Sequence, residues 1–153
     1  MSNTEQVYVT YIKSTPEKVW QAITNPEFTR QYWANENISD WKKGSPWKHA
    51  TKEGLVRVAG EVLESNPPKR LSLSWADPND PSLGTSRVSF DIAMSGPLVC
   101  LTVVHDQLQA DGIMAGKVGG GWPRVLSGLK TFLETGEVLD IWAGKSDGCK
   151  PAA

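Results

Sequence analysis

The chain has 153 residues, the size of one ordinary domain, enough to bury about 70% of the surface its unfolded form exposes. Its 16 basic and 17 acidic side chains are spread along the chain and leave a formal net charge of -1, which argues against nucleic acid as a partner. No run approaches the ~20 apolar residues of a membrane span, and the polar residues 1–6 have neither the basic nor the apolar region of a secretory leader, so a cytoplasmic protein is expected.

The two cysteines, Cys100 and Cys149, do not make a disulfide framework, and no clustered Cys/His spacing supports a metal site. No metal and no cofactor are expected. Tryptophan is the compositional outlier, at positions 20, 33, 41, 47, 75, 122 and 142.

Residues 7–13 alternate and are rich in β-branched and aromatic side chains, predicting the first strand. Ser14, Thr15, Pro16 and Glu17 then supply a hydroxyl cap, a first-position proline and an acid for the positive end of a helix. That helix buries Val19, Trp20 and Ile23, and Asn25-Pro26 breaks it and starts a second short helix to Trp33. From residue 38 to 105 the turn signals are those of an antiparallel meander. Inward faces are predicted for Leu71, Leu73 and Trp75, for Val88, Phe90, Ile92 and Met94, and for Val99, Leu101, Val103 and His105. The opposite face carries small or polar residues, as in a sheet buried on one side.

The last predicted element runs from Trp122 to Thr135 and stops at Gly136. Trp122, Val125, Leu126, Leu129, Phe132 and Leu133 fall within about 120° of its circumference. Residues 113–118 form a helical lead-in, and Gly119-Gly120-Gly121 with Pro123 predict a kink or hinge between the two. The order predicts an α+β fold in which six to seven antiparallel strands curve around a long C-terminal helix, with two short helices after strand one. Residues 1–143 are expected to be one domain and 144–153 a disordered tail.

Several separated motifs carry a resemblance: Ser39-Asp40-Trp41 with Gly44-Ser45-Pro46-Trp47, Gly60-Glu61-Val62 before Pro67-Pro68-Lys69-Arg70-Leu71, Leu101-x-Val103-x-His105, and GGGWPRVLSGLKTFLETG from Gly119 to Gly136. Together they resemble the START-like (SRPBCC) superfamily, within it the branch related to the C-terminal domain of the heat-shock-protein-90 ATPase activator. The resemblance implies a helix-grip fold with an internal cavity for lipids, steroids, polyketides or other apolar molecules. It also implies links to the stress response, with a chaperone as an alternative partner. The activator's separate N-terminal domain, which contributes to chaperone engagement, has no counterpart in these residues, so a small-molecule partner ranks first.

Trp33, Trp41, Trp75, His105, Trp122, Leu126 and Leu129 are the candidate ligand-binding residues, since an indole offers apolar area and one N–H donor. His105 has three readings: an anchor for a ligand carbonyl or hydroxyl, a general acid/base in a cyclase- or hydrolase-like enzyme, or a structural histidine, the last preferred. No acid and base share a face, which favours a binding module over an enzyme. Arg87 is placed either at the cavity mouth or in solvent, and Trp142 as a cap on the fold, in a homodimer interface or exposed.

Overall fold

The computed structural model describes residues 3–109 and 112–144. Beyond Gly144, the expected tail, with Cys149, lies outside the described residues. Seven strands, β1 (Asn3–Ile12), β2 (Glu36–Ile38), β3 (Pro46–Ala50), β4 (Val56–Asn66), β5 (Arg70–Ala76), β6 (Thr85–Ser95) and β7 (Leu98–Gln109), form one antiparallel sheet. Its order is β1-β7-β6-β5-β4-β3-β2, and three helices, α1 (Pro16–Thr24), α2 (Pro26–Tyr32) and α3 (Ile113–Thr135), complete the helix grip.

Local chemistry accounts for the helix ends. The Thr15 hydroxyl accepts from the Lys18 amide at 3.3 Å, with Pro16 at the first helical position of α1. Asn25 ends α1 and opens α2, its Oδ1 accepting from the Glu27 amide at 2.9 Å. Gly136, at φ 78°, closes α3 in the left-handed region that glycine enters without a Cβ penalty.

Two local expectations are corrected. The kink or hinge expected at Gly119-Gly120-Gly121 is not a helix break: α3 runs through the glycines and Pro123 for 23 residues. Tertiary contacts hold this half, as Gln6 Nε2 donates to the Ala115 carbonyl at 2.9 Å. Met94, expected inward, is 52% exposed, because it stands where β6 runs out towards its hairpin with β7.

The other predicted inward residues of β5, β6 and β7 are buried, and α3 sets Val125, Leu126 and Leu129 against them. On the outer face, Ser72 and Ser89 are buried as well. They pair at 3.1 Å between the ion pairs Arg70–Asp91 and Arg87–Asp106. Trp142 caps the fold, its indole N–H donating to the Trp33 carbonyl at 3.2 Å, while Arg124 holds the Ile141 carbonyl at 2.8 Å.

Gly60 of β4 lies against β5 so closely that an added Cβ would fall within the Ser74 carbonyl group. Gly60→Ala is expected to cost about 3 kcal/mol by forcing the two strands apart. A urea unfolding curve with an unchanged midpoint would show that the strands yield freely there.

Candidate functional site

The concave face under α3 is packed with rings. Trp122 lies 5.7 Å from Trp33, 5.6 Å from Trp75 and 5.8 Å from Phe90, centroid to centroid. Trp47 joins Trp75 at 5.7 Å and His105 joins it at 5.2 Å. These are the separations of tilted and edge-to-face aromatic pairs, so the space between helix and sheet is filled by indoles.

A directed chain of hydrogen bonds runs through this cluster. An indole only donates, so Trp122 Nε1–H meets an unprotonated His105 Nδ1 at 3.0 Å. The His105 proton therefore sits on Nε2 and is donated to Ser86 Oγ at 2.7 Å. Ser86 is left to turn its own proton toward the Trp75 carbonyl at 3.5 Å. The chain links α3 to β7, β6 and β5. Trp75 Nε1 stands apart, buried with no acceptor among the described residues.

A second histidine, His49, completes the face. His49 of β3 lies 4.6 Å from the Trp33 ring and donates Nδ1–H to Asn37 Oδ1 at 2.6 Å. Asn37 in turn donates to the Ile23 carbonyl at 2.9 Å, and Asn35 Nδ2 approaches His49 Nε2 at 3.3 Å. The available signal was the alternation of Trp47 and His49 in one strand. Burial lowers both histidines to about 4, with Arg57 adding to the effect at His49 and Asp106 opposing it at His105. Both rings are neutral at neutral pH. His105 is engaged on both nitrogens, so it offers neither a free base nor a free proton.

Of the sequence-predicted residues, Trp33, Trp75, His105 and Trp122 come together, with Leu126 and Leu129 buried on the same helix. Trp41 lies elsewhere, donating to the Thr24 carbonyl at 3.0 Å beside a separate surface cleft with Trp20. Arg87 points to the outer face, where its fork clasps Asp106 at 2.9 and 2.6 Å and holds that carboxyl below its usual range. Among the described residues no group of three or more His, Cys, Asp or Glu side chains could hold a metal ion.

The described opening nearest this chain is a cleft of about 460 Å³ between the turn Pro81–Leu83, the end of β7 and the first turn of α3. Ser82, Leu83, Gln107, Leu108 and Met114 line it, with Ser86 contributing to its wall. Gln107 has φ 59°, at the irregularity where β7 shifts register against β1.

A sheet gripping one long helix over an aromatic face defines a START-like (SRPBCC) domain. Residues 13–134 match the family described as Activator of Hsp90 ATPase homolog 1-like protein, and the chain belongs to that family. Solved structures agree. Protein MLL2253 from Mesorhizobium loti superposes with a TM-score of 0.74 at 27% identity, over 85% of this chain and 96% of that one. The Aha1 dimer from Colwellia psychrerythraea gives 0.73 at 23% identity, over 90% and 99%. CalU16 from Micromonospora echinospora gives 0.71 at 22% identity, over 94% and 82%. No curated protein matches the chain in sequence.

Stability should follow the two histidines. Their folded pKa of about 4 lies below the ordinary 6.5, so between those values the unfolded chain binds more protons. Stability is therefore complete above pH 6.5 and falls as pH drops towards 4, by up to about 3 kcal/mol per histidine. Glu134, lowered from 4.5, and Asp40 and Asp106, lowered from 3.8, add their losses only below those values. Calorimetry from pH 7 to 4.5 checks the slope, and imidazole NMR should show both rings neutral down to about pH 5. A ring titrating near 6.5 would contradict the burial argument. Trp122→Phe keeps a ring but leaves His105 Nδ1 without its donor, and should cost about 1 to 3 kcal/mol in urea unfolding.

Proposed function

We propose that the domain binds an apolar or aromatic small molecule, lipid-like or polyketide-like, on the concave face under α3, and that the molecule enters through the cleft at the Pro81–Leu83 turn. The observation that carries this reading is Ser86, which borders the cleft and also hydrogen-bonds His105 at 2.7 Å. The cleft's volume of about 460 Å³ suits a small ligand, within the roughly 300–1,000 Å³ of such sites. Leu83, Leu108 and Met114 offer apolar contact, and Ser86 and Gln107 offer polar groups that fix orientation. Deeper entry requires the Trp122 ring to move, which would free a site for the unpartnered Trp75 N–H. The reading takes residues 1–143 as one binding unit in the cytoplasm; no described helix is long and apolar enough to cross a membrane.

Trp122 makes binding visible. Native mass spectrometry and tryptophan fluorescence, run against a library of apolar and aromatic compounds, should both report a complex. Leu83→Trp, which fills the cleft from a half-buried position, should weaken that complex at least about tenfold with little change in unfolding midpoint. Absence of any complex in both measurements would refute the proposal.

The family match supports a second reading, stimulation of a chaperone ATPase through the surface of the domain. Added to the chaperone, the domain should then raise ATP turnover, and an unchanged rate counts against it. Assembly of two copies, as in the Colwellia dimer, is carried to this chain as part of the proposal.

A further inference from the structure

The two edges of the sheet differ. β2 has three residues and packs against α2, whereas β1 is ten residues long and borders α3 along only part of its length. Lys130 Nζ donates to the Tyr11 carbonyl at 2.5 Å, and the Lys13 amide donates to Glu134 Oε2 at 2.8 Å. These groups turn away from β7. In an antiparallel strand the N–H and C=O of one residue point the same way and those of the next point oppositely. Val9 and Val7 share the parity of Tyr11, so their four backbone groups also face the open edge. The register irregularity between Thr4 and Gln6 lies outside this stretch. A groove of about 380 Å³, lined by Val7, Tyr8, Val9 and Thr10 against Pro123, Leu126, Ser127 and Lys130, keeps α3 off the edge here. Val7, Val9 and Tyr11 also expose 53%, 51% and 48% of their surface on the outer face, an apolar row on an unprotected strand.

We propose that β1 pairs antiparallel with β1 of a second copy about a two-fold axis at Tyr8, joining the two sheets edge to edge. Val7 then faces Val9 of the second copy, and Val9 faces its Val7. Each is a hydrogen-bonded pair, so the four open groups of each copy are satisfied in four bonds. The strand is self-complementary in charge as well. Exposed Glu5 and Lys13 lie on the same face as the valines, and reversal about Tyr8 sets Glu5 diagonally beside Lys13 of the second copy. Contacts of each copy with the other are identical, as a closed two-fold requires. This deepens the two-copy assembly proposed above by giving it a surface.

Sedimentation of the full chain should give the mass of two 16.7-kDa chains at tens of micromolar. Val9→Pro deletes two of the four interchain donors but none that β1 offers β7, and should weaken the dimer at least about tenfold while circular dichroism stays unchanged. In a Cys100→Ser, Cys149→Ser background, Tyr8→Cys should form an interchain disulfide on mild oxidation, because residues on the axis form a close non-hydrogen-bonded pair. Thr10→Cys, held about 13 Å from its own copy, should not. A monomer at every concentration overturns both the assembly and this interface. A dimer that ignores Val9→Pro and does not cross-link through Tyr8→Cys overturns the interface alone.

Discussion

An indole carried into a dry core brings an N–H that is costly to leave without an acceptor, and much of the concave face, Trp75 excepted, is arranged around that cost. Trp122 finds no acceptor on its own helix. It meets His105 instead, and the donor-only character of indole fixes the histidine tautomer, which fixes the direction of the bond to Ser86. One unpaired group would cost about 1 to 3 kcal/mol, so the chain holds α3 in a single register on the sheet. Trp47 and Trp41 meet the same requirement more simply, through the carbonyls of Ser74 and Thr24.

The periodic parts of the fold were legible for physical reasons. Strand alternation located the inward residues of β5 to β7, and Thr15-Pro16 and Asn25-Pro26 announced α1 and α2 because caps are local chemistry. The lead-in at residues 113–118 was legible, but the continuity of α3 through the glycines was not. Glycine and proline propensities argue for a break at residues 119–123, yet propensity is a weak prior that contacts such as Gln6 to Ala115 override. The site was half legible. Facing and aromatic content pointed Trp33, Trp75, His105 and Trp122 to one place. Trp41 was misjudged as a member of that group because its backbone at φ 59° turns the chain in a way no alternation reveals. His49 became a feature of the site through Asn35 and Asn37, polar partners supplied by the segment around β2, whose pairing is long-range.

The outer face shows a matching division of labour. Across β5, β6 and β7 it carries the Arg70–Asp91 and Arg87–Asp106 pairs with Ser72 and Ser89 between them, a polar ladder. Such pairs are partly exposed and individually weak, but they keep this part of the sheet from presenting an apolar surface. The ladder stops before β1, where Val7, Val9 and Tyr11 replace it. Polar cover on these three strands and an apolar row on β1 leave β1 as the unguarded strand of this part of the sheet.

The helix α3 borders both the cleft and the open edge, and its two halves are held differently. Met114, in its first turn, lines the cleft, whereas Pro123, Leu126 and Lys130 line the groove along β1. The second half is tied to the strand end by Lys130 on the Tyr11 carbonyl and Glu134 on the Lys13 amide. The first half is tied by Gln6 on the Ala115 carbonyl and, at its end, by Trp122 on His105. The proposed entry of a molecule past Ser86 would work against the first set of ties only. The second set keeps the groove beside Val7 and Val9 in place, so a helix that yields at the mouth still presents the same edge to a second copy.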